Sequence, residues 1–268
     1  MQYLRSLVFV VQMYVAMAVF ALVYTLPAAL DRRAAWAGVH AYCRYVRWTA
    51  RWMVGLRTEV RGEVPTGEVL VAAKHQSFLD IIILCSVLPR PKFIMKASLR
   101  WAPILGWFAM RIGCVPVDRG RRAEAIQQMN RGVAAGRALP GQLVIYPQGT
   151  RVAPGAWLPY KVGAAVLYRA LGQPCVPAAT NVGVFWPRRG IMRRPGLGVV
   201  EFLEPMSAAM TQDAFLRELE GRVETASDRL MAEAGHPVRQ DGDRSRGQGQ
   251  DRDRRRDRHS DRGRGGDG

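Results

Sequence analysis

Residues Ser6 to Leu30 carry no charged side chain, and this 25-residue run constrains the chain more than any other feature. Met, Val, Leu, Ala and Phe dominate it. At helical rise it extends for about 37 Å, against about 30 Å of bilayer hydrocarbon. A core helix of that length would show a polar face. A cleaved signal peptide would have a stronger basic start than the single Arg5 and a shorter apolar stretch. The run therefore reads as a retained membrane anchor. A second helix is expected from Ala34 to Leu56. Its Arg44, Arg47 and Arg51 share one face by their 3- and 4-residue spacing, and Tyr45, Trp48 and Trp52 lie one step round. Cations beside amphipathic rings suit an anionic headgroup layer. Five Arg lie between positions 32 and 51, whereas only Arg5 precedes the apolar run. By the positive-inside rule this puts the body of the protein on the cytoplasmic side of the membrane.

The remainder is long enough for one domain with a sizeable core. The formal net charge of +17 calls for an anionic partner: nucleic acid, a membrane surface or a phosphorylated substrate. After Val238 the chain is Arg, Asp, Gly, Gln and Ser apart from His259, and it cannot offset its chain entropy by burial. Its ten Arg and seven Asp account for only +3, so the anchor and body carry +14. The interspersed Asp weigh against nucleic acid as the partner of this tail. Cys43, Cys85, Cys114 and Cys175 form no CxxC pair and no His/Cys cluster, which argues against structural zinc and a disulfide scaffold and for a reducing compartment. Three segments result: a membrane anchor with its interfacial helix (1–58), a folded domain (59–236) and a disordered tail (237–268).

Within the domain, strand and helix signals alternate. Strands are expected at Glu68–Ala73, Lys92–Lys96, Gly113–Val117, Gln142–Tyr146, Cys175–Thr180 and Gly198–Leu203. Helices are expected at Ala97–Met110, Ala123–Ala138, Lys161–Leu171 and Thr211–Ala232, the last with Thr211 as N-cap. The pattern gives an α/β fold: a largely parallel sheet flanked by helices, with an N-terminal membrane-associated helical segment. In such sheets ligands sit beyond the carboxyl ends of the strands.

The loops after these strands carry the chemistry. The first holds Lys74-His75-Gln76-Ser77-Phe78-Leu79-Asp80. His and Asp five residues apart diverge on one helix, so they can meet only if His75 lies in the loop and Asp80 in the first helical turn. Ser77 then serves as N-cap with Asp80 at N3. An aspartate at Nδ1 fixes the imidazole tautomer and leaves Nε2 to take a proton from an alcohol. Taken alone, the pair reads more readily as a helix cap beside a bystander histidine.

At this point the chain resembles a family. His-x4-Asp after a strand is similar to the first signature of the glycerolipid acyltransferases, the 1-acyl-sn-glycerol-3-phosphate (lysophosphatidate) acyltransferase group. The second resembles Lys96-Ala97-Ser98-Leu99 with Pro103, Gly106, Gly113 and Val117-Asp118-Arg119. The third resembles Tyr146-Pro147-Gln148-Gly149-Thr150-Arg151, and the fourth Cys175-Val176-Pro177-Ala178-Ala179. The four blocks stand in the family's order over roughly residues 60 to 205. The tail has no family counterpart.

The resemblance implies an O-acyltransferase that moves a fatty acyl group from acyl-CoA or acyl carrier protein to the sn-2 hydroxyl of lysophosphatidate. His75 is then the base and Asp80 orients it. Lys96, Arg151 and Arg119 are candidate phosphate ligands, with Gly149 and Thr150 shaping the loop. The residue chemistry agrees. Arg offers a planar fork for phosphate and Lys a point charge, while Gly149 permits close approach or positive φ. Arg119 is the weakest of these, because Arg121 and Arg122 beside it read as a solvated basic run. No metal and no redox cofactor is implied. The expected partners are a membrane lipid, an anionic membrane surface and acyl carrier protein. One departure stands out: the family usually has Glu where this chain has Gln148. The amide keeps the size and an acceptor but excludes a catalytic carboxylate there, leaving an orienting or loop-holding role. Two alternatives are the same chemistry on another acceptor, such as a lyso-aminolipid, and a non-enzymatic basic membrane- and RNA-binding protein.

Overall fold

The computed structural model of the chain describes residues 1–118 and 141–237. Arg119, the helix expected over Ala123–Ala138 and the C-terminal tail lie outside the described residues. The uncharged run forms α1 (Gln2–Leu30), followed directly by α2 (Arg32–Val54). Asp31 separates them, its carboxylate accepting from the Arg33 amide at 2.9 Å. Such an acceptor satisfies an amide that a helix start leaves bare. Gly55, at φ 73°, ends α2 in the left-handed region that glycine enters without strain. The helices form an antiparallel hairpin: Gln2 Nε2 donates to Val54 O at 3.0 Å, and Tyr45 Oη to Gln12 Oε1 at 2.8 Å.

α1 does not project from the domain as a separate anchor. At one end Gln2 Nε2 donates to Arg193 O at 2.8 Å, and Phe9 packs edge-on against Trp186. At the other, the Arg111 guanidinium donates to Ala28 O and Ala29 O, each at 2.7 Å. The face turned away stays bare, with Leu22, Leu26 and Leu30 at 83%, 70% and 81% exposure. The basic face expected on α2 also divides. Arg44 and Arg51 are exposed, but Arg47 turns inward and donates to Thr58 Oγ1 and Ser86 Oγ, both at 2.8 Å. Trp48 and Trp52 remain exposed, whereas Tyr45 packs towards α1.

The sheet has seven strands: β1 (Leu56–Arg61), β2 (Leu70–Ala73), β3 (Pro91–Lys96), β4 (Val115–Val117), β5 (Gln142–Ile145), β6 (Cys175–Thr180) and β7 (Gly196–Phe202). Their order is β1-β7-β6-β2-β5-β3-β4. Strands β2 to β6 run parallel to one another, β7 is antiparallel to β6, and β1 is parallel to β7. The largely parallel sheet expected from the sequence is thus present, extended by a reversed pair at one edge. β1 was not foreseen: the helix expected over Ala34–Leu56 ran onto its first residue, and the short alternation of Leu56, Thr58 and Val60 with Arg57, Glu59 and Arg61 is completed by pairing with β7.

Four further helices are α3 (Leu79–Val87), α4 (Leu105–Arg111), α5 (Val162–Leu171) and α6 (Gln212–Glu233). The continuous helix expected over Ala97–Met110 is instead a 3₁₀ turn at Ala97–Trp101 followed by α4. Pro103 and the positive φ of Ile104 (62°) break it. Thr211 caps α6 as expected, its hydroxyl accepting from the Ala214 amide.

Strand periodicity sends alternate residues to two cores. Val71, Ala73, Phe93, Met95 and Val144 face α1 to α4, whereas Leu70, Ala72, Ile94, Leu143 and Ile145 face α5 and α6. The second layer is pinned to the end of β2 by a buried ion pair. Lys74 Nζ lies 2.7 Å from both Glu224 carboxylate oxygens, and Tyr160 Oη donates to the same group at 3.0 Å. Removing one member of such a pair strands a buried charge. Glu224→Leu is expected to cost about 3–5 kcal/mol in unfolding free energy measured by denaturant titration, and the double change Lys74→Met/Glu224→Leu clearly less.

Candidate active site

The carboxyl ends of four adjacent strands, in the order β6-β2-β5-β3, deliver the candidate residues to one edge of the sheet. β2 runs into Lys74 and His75, and α3 begins at Leu79. Phe78 already has helical angles (φ −74°, ψ −24°), and the Leu79 amide donates to Ser77 Oγ at 3.1 Å. Asp80 sits in the first turn and reaches back as a side chain at N3 does in a capping box. Its carboxylate, 1% exposed, accepts from the Gln76 amide at 2.9 Å and the Ser77 amide at 2.8 Å. It also accepts from Tyr146 Oη at 3.1 Å and from His75 Nδ1–H at 2.9 Å. The His-x4-Asp spacing thus closes on itself: the aspartate that caps the helix also holds the imidazole.

Tyr146, at the end of β5, stacks its ring on the imidazole at 3.9 Å and 16° between planes. Burial and the adjacent Asp80 carboxylate push its phenol well above the usual tyrosine range, so it stays protonated and donates to Asp80. Nδ1 is engaged and one ring face is covered. This leaves Nε2 on the edge of the ring towards the cavity that His75 lines.

The next residues form a turn closed by the Gly149 amide donating to Tyr146 O at 2.8 Å, with Gly149 at φ 71°. A Cβ at Gly149 would also meet Lys161 Nζ at 2.7 Å. Gln148 is 3% exposed, and its Nε2 donates to Leu158 O at 3.2 Å. This is the loop-holding role left open to an amide, and a carboxylate has no proton for it. The Val152 amide donates to His75 O at 2.7 Å, tying this loop to the histidine loop.

These loops rim a cavity of about 430 Å³. Its mouth carries His75, Lys96, Thr150, Arg151 and Arg188. The rest of its lining is mostly apolar and includes Ile82, Phe108, Phe20 and Ala21 of α1 and Tyr42 of α2. The structure therefore brings His75, Asp80, Lys96, Thr150 and Arg151 together, with Gly149 supplying the turn. Arg119 lies outside the described residues. Sequence reasoning missed two participants. Tyr146 stood inside a recognised block, but its contact with His75 depends on β5 lying beside β2. Arg188 stood in a run of arginines that reads as solvated surface.

The arrangement can accept a proton at His75 Nε2, hold an anion at three cations and sequester an apolar chain. The cavity also contains Cys43, Cys85 and Cys114. A hydrogen bond to Cys43 and burial raise the Cys85 thiol well above its ordinary value, and burial pushes Cys114 up to about 12. Neutral thiols are poor nucleophiles. Among the described residues no group of three His, Cys, Asp or Glu forms a metal-binding cluster.

Residues 57–181 match the family model described as Acyltransferase. The chain is similar to 1-acyl-sn-glycerol-3-phosphate acyltransferase of Pseudomonas aeruginosa, at 28% identity over 75% of this chain and 79% of that protein. It is also similar to the enzymes of that name from Saccharomyces cerevisiae (33% identity, 60% of this chain) and, as the alpha form, Mus musculus (34%, 59%). The matches span 55% and 58% of those two relatives. In fold it resembles the crystal structure of the 1-acyl-sn-glycerophosphate (LPA) acyltransferase PlsC from Thermotoga maritima. That likeness has a TM-score of 0.71 at 18% identity, over 87% of this chain and all of that one.

Asp80 and His75 should differ in what they do for stability. Asp80→Ala leaves two buried amides and a buried phenol without an acceptor, at an expected cost of about 3–5 kcal/mol. His75→Ala removes a ring at the cavity mouth and is expected to cost about 1 kcal/mol. Thermal unfolding of the two variants in detergent compares them directly.

Proposed function

We propose that this chain, whose residues 57–181 match the acyltransferase family model, moves a fatty acyl group from acyl-CoA or acyl carrier protein to the sn-2 hydroxyl of 1-acyl-glycerol-3-phosphate, giving phosphatidate. One observation carries the proposal: the His75–Asp80 pair stands where a three-cation rim meets a long apolar cavity. A phosphorylated lipid acceptor and a fatty acyl donor need those two environments side by side.

The acceptor phosphate binds Lys96 and Arg151, with Gly149 and Thr150 shaping the loop beneath it. Its hydroxyl passes a proton to His75 Nε2 as the oxygen bonds to the thioester carbonyl carbon. The carbon–sulfur bond then breaks, and the imidazolium returns the proton to the departing thiolate. Asp80 holds the tautomer and stabilises the imidazolium. Transfer is direct, because the Cys85 and Cys114 thiols are held neutral and, among the described residues, no serine is paired with a base in a nucleophile setting. The acyl chain lies in the apolar depth, whose floor is the α1–α2 hairpin. The thioester is a co-substrate, and the chemistry calls for no resident metal or redox cofactor.

Membrane association follows from the acyltransferase relatives and the apolar helix. The bare face of α1, with Trp48 and Trp52 beside Arg44 and Arg51, sits at the bilayer surface on the cytoplasmic side, where the lipid acceptor is found. The charge of the anchor and body is accounted for by an anionic surface and a phosphorylated substrate, and RNA is not required.

With purified enzyme, His75→Ala is expected to lower turnover of lysophosphatidate by at least about 10²–10⁴-fold, since base catalysis contributes that much. Near-normal turnover would exclude this mechanism. Arg151→Lys replaces a bidentate fork by a point charge, so the KM for lysophosphatidate should rise about tenfold while that for the acyl thioester changes little. Initial-rate kinetics varying each substrate in turn separate the two constants.

A further inference from the structure

We infer that Arg188 is a third ligand for the acceptor's phosphate and the residue that selects a terminal phosphomonoester over headgroups bearing an ammonium. The inference rests on the acyltransfer reading above and deepens it at the same site.

Arg188 reaches the site from the side opposite the other two cations. His75 follows β2, Arg151 follows β5 and Lys96 ends β3, whereas Arg188 lies in the loop after β6, on the other flank of β2. That loop is held in shape. The Arg193 guanidinium is 6% exposed, lies 4.3 Å from the Trp186 ring centroid, and donates to Gly190 O, Ile191 O and Met192 O at 3.0 to 3.1 Å. The Arg194 amide donates back to Phe185 O at 2.8 Å.

Of the three exposed arginines in the loop, Arg189 and Arg194 do not line the cavity and Arg188 does. Arg188 Nη1 donates to Arg151 O at 3.2 Å, so its guanidinium stands against the backbone of another proposed phosphate ligand. Among the described residues no carboxylate lines the cavity and none pairs with Arg188. Three cations facing one cavity repel one another unless an anion joins them.

The ligand's charge then matters. A phosphomonoester carries about −1.5 to −2 at neutral pH, and a pocket of +3 suits it. A lysophosphodiester carries one negative charge, and a headgroup ammonium would meet Arg188 with like charge. Repulsion of this kind is how a site rejects a near-substrate.

The test compares wild type, Arg188→Ala and Arg188→Lys for acylation of lysophosphatidate and of lysophosphatidylethanolamine in matched detergent micelles, with long-chain acyl-CoA as donor. In Arg188→Ala, kcat/KM for lysophosphatidate should fall about 10- to 100-fold, as expected for a lost charge-assisted hydrogen bond. The value for lysophosphatidylethanolamine should hold or rise, and the KM for acyl-CoA should not change. Arg188→Lys should recover part of the preference by charge alone. Equal losses on both acceptors would overturn the inference, by giving Arg188 a purely structural role. A loss confined to the KM for acyl-CoA would overturn it by assigning Arg188 to the donor. Wild type that acylates neither acceptor, with acyl-CoA or with acyl carrier protein as donor, would overturn the acyltransfer reading and the inference with it.

Discussion

One buried carboxylate holds the active-site end of this molecule together. Asp80 accepts from two backbone amides, a phenol and an imidazole. The bonds from the amides start α3, the bond from the phenol ties β5 to β2, and the bond from the imidazole fixes its tautomer. A group so placed cannot be exchanged for another without leaving several donors bare, which costs more than any one bond is worth. The catalytic geometry is therefore a by-product of how the chain leaves β2 and enters α3.

Around that point the parallel sheet provides convergence. Neighbouring strands bring Lys96, Arg151 and Arg188 to one edge from positions spread over about 90 residues of sequence. The same alternation that buries Val71 and Ala73 against α3 places Tyr146 on the face where the cavity opens. The N-terminal hairpin has two duties. One side of α1 closes the cavity with Phe20 and Ala21, while the other presents bare leucines. The segment proposed to meet lipid is thus also a wall of the site.

How much of this could be read from the sequence depended on distance along the chain. His75 and Asp80 were legible because five residues and one strand-to-helix turn settle their meeting. Lys96 and Gly149–Arg151 were legible because each follows an apolar run that ends at the sheet edge. Arg188 was not, since nothing local distinguishes it from Arg189 beside it; only the placement of β6 next to β2 does. Arg47 shared a helical face with Arg44 and Arg51, and its inward turn depends on Thr58 and Ser86, which lie on other elements. β1 escaped notice because the helical reading of the preceding segment ran onto Leu56 and the alternation in LRTEVR covers only six residues; its pairing with β7 makes it a strand. Gln148 is an amide and carries no carboxylate, and its hydrogen bond to Leu158 O gives the amide a use.

The central claim is that the acyl group passes straight from thioester to acceptor, with His75 as base and no covalent enzyme intermediate. The cavity that would hold the acyl chain is lined by three cysteines, so the alternative is chemically concrete. Rapid mixing of intact enzyme with long-chain acyl-CoA in the absence of acceptor, followed by acid quench and mass spectrometry of the whole chain, tests this directly. The expected result is an unmodified mass at all times, with product forming only once lysophosphatidate is added. A transient mass increase equal to the acyl group, localised to Cys43, Cys85 or Cys114 and discharged by lysophosphatidate at the rate of turnover, would contradict it.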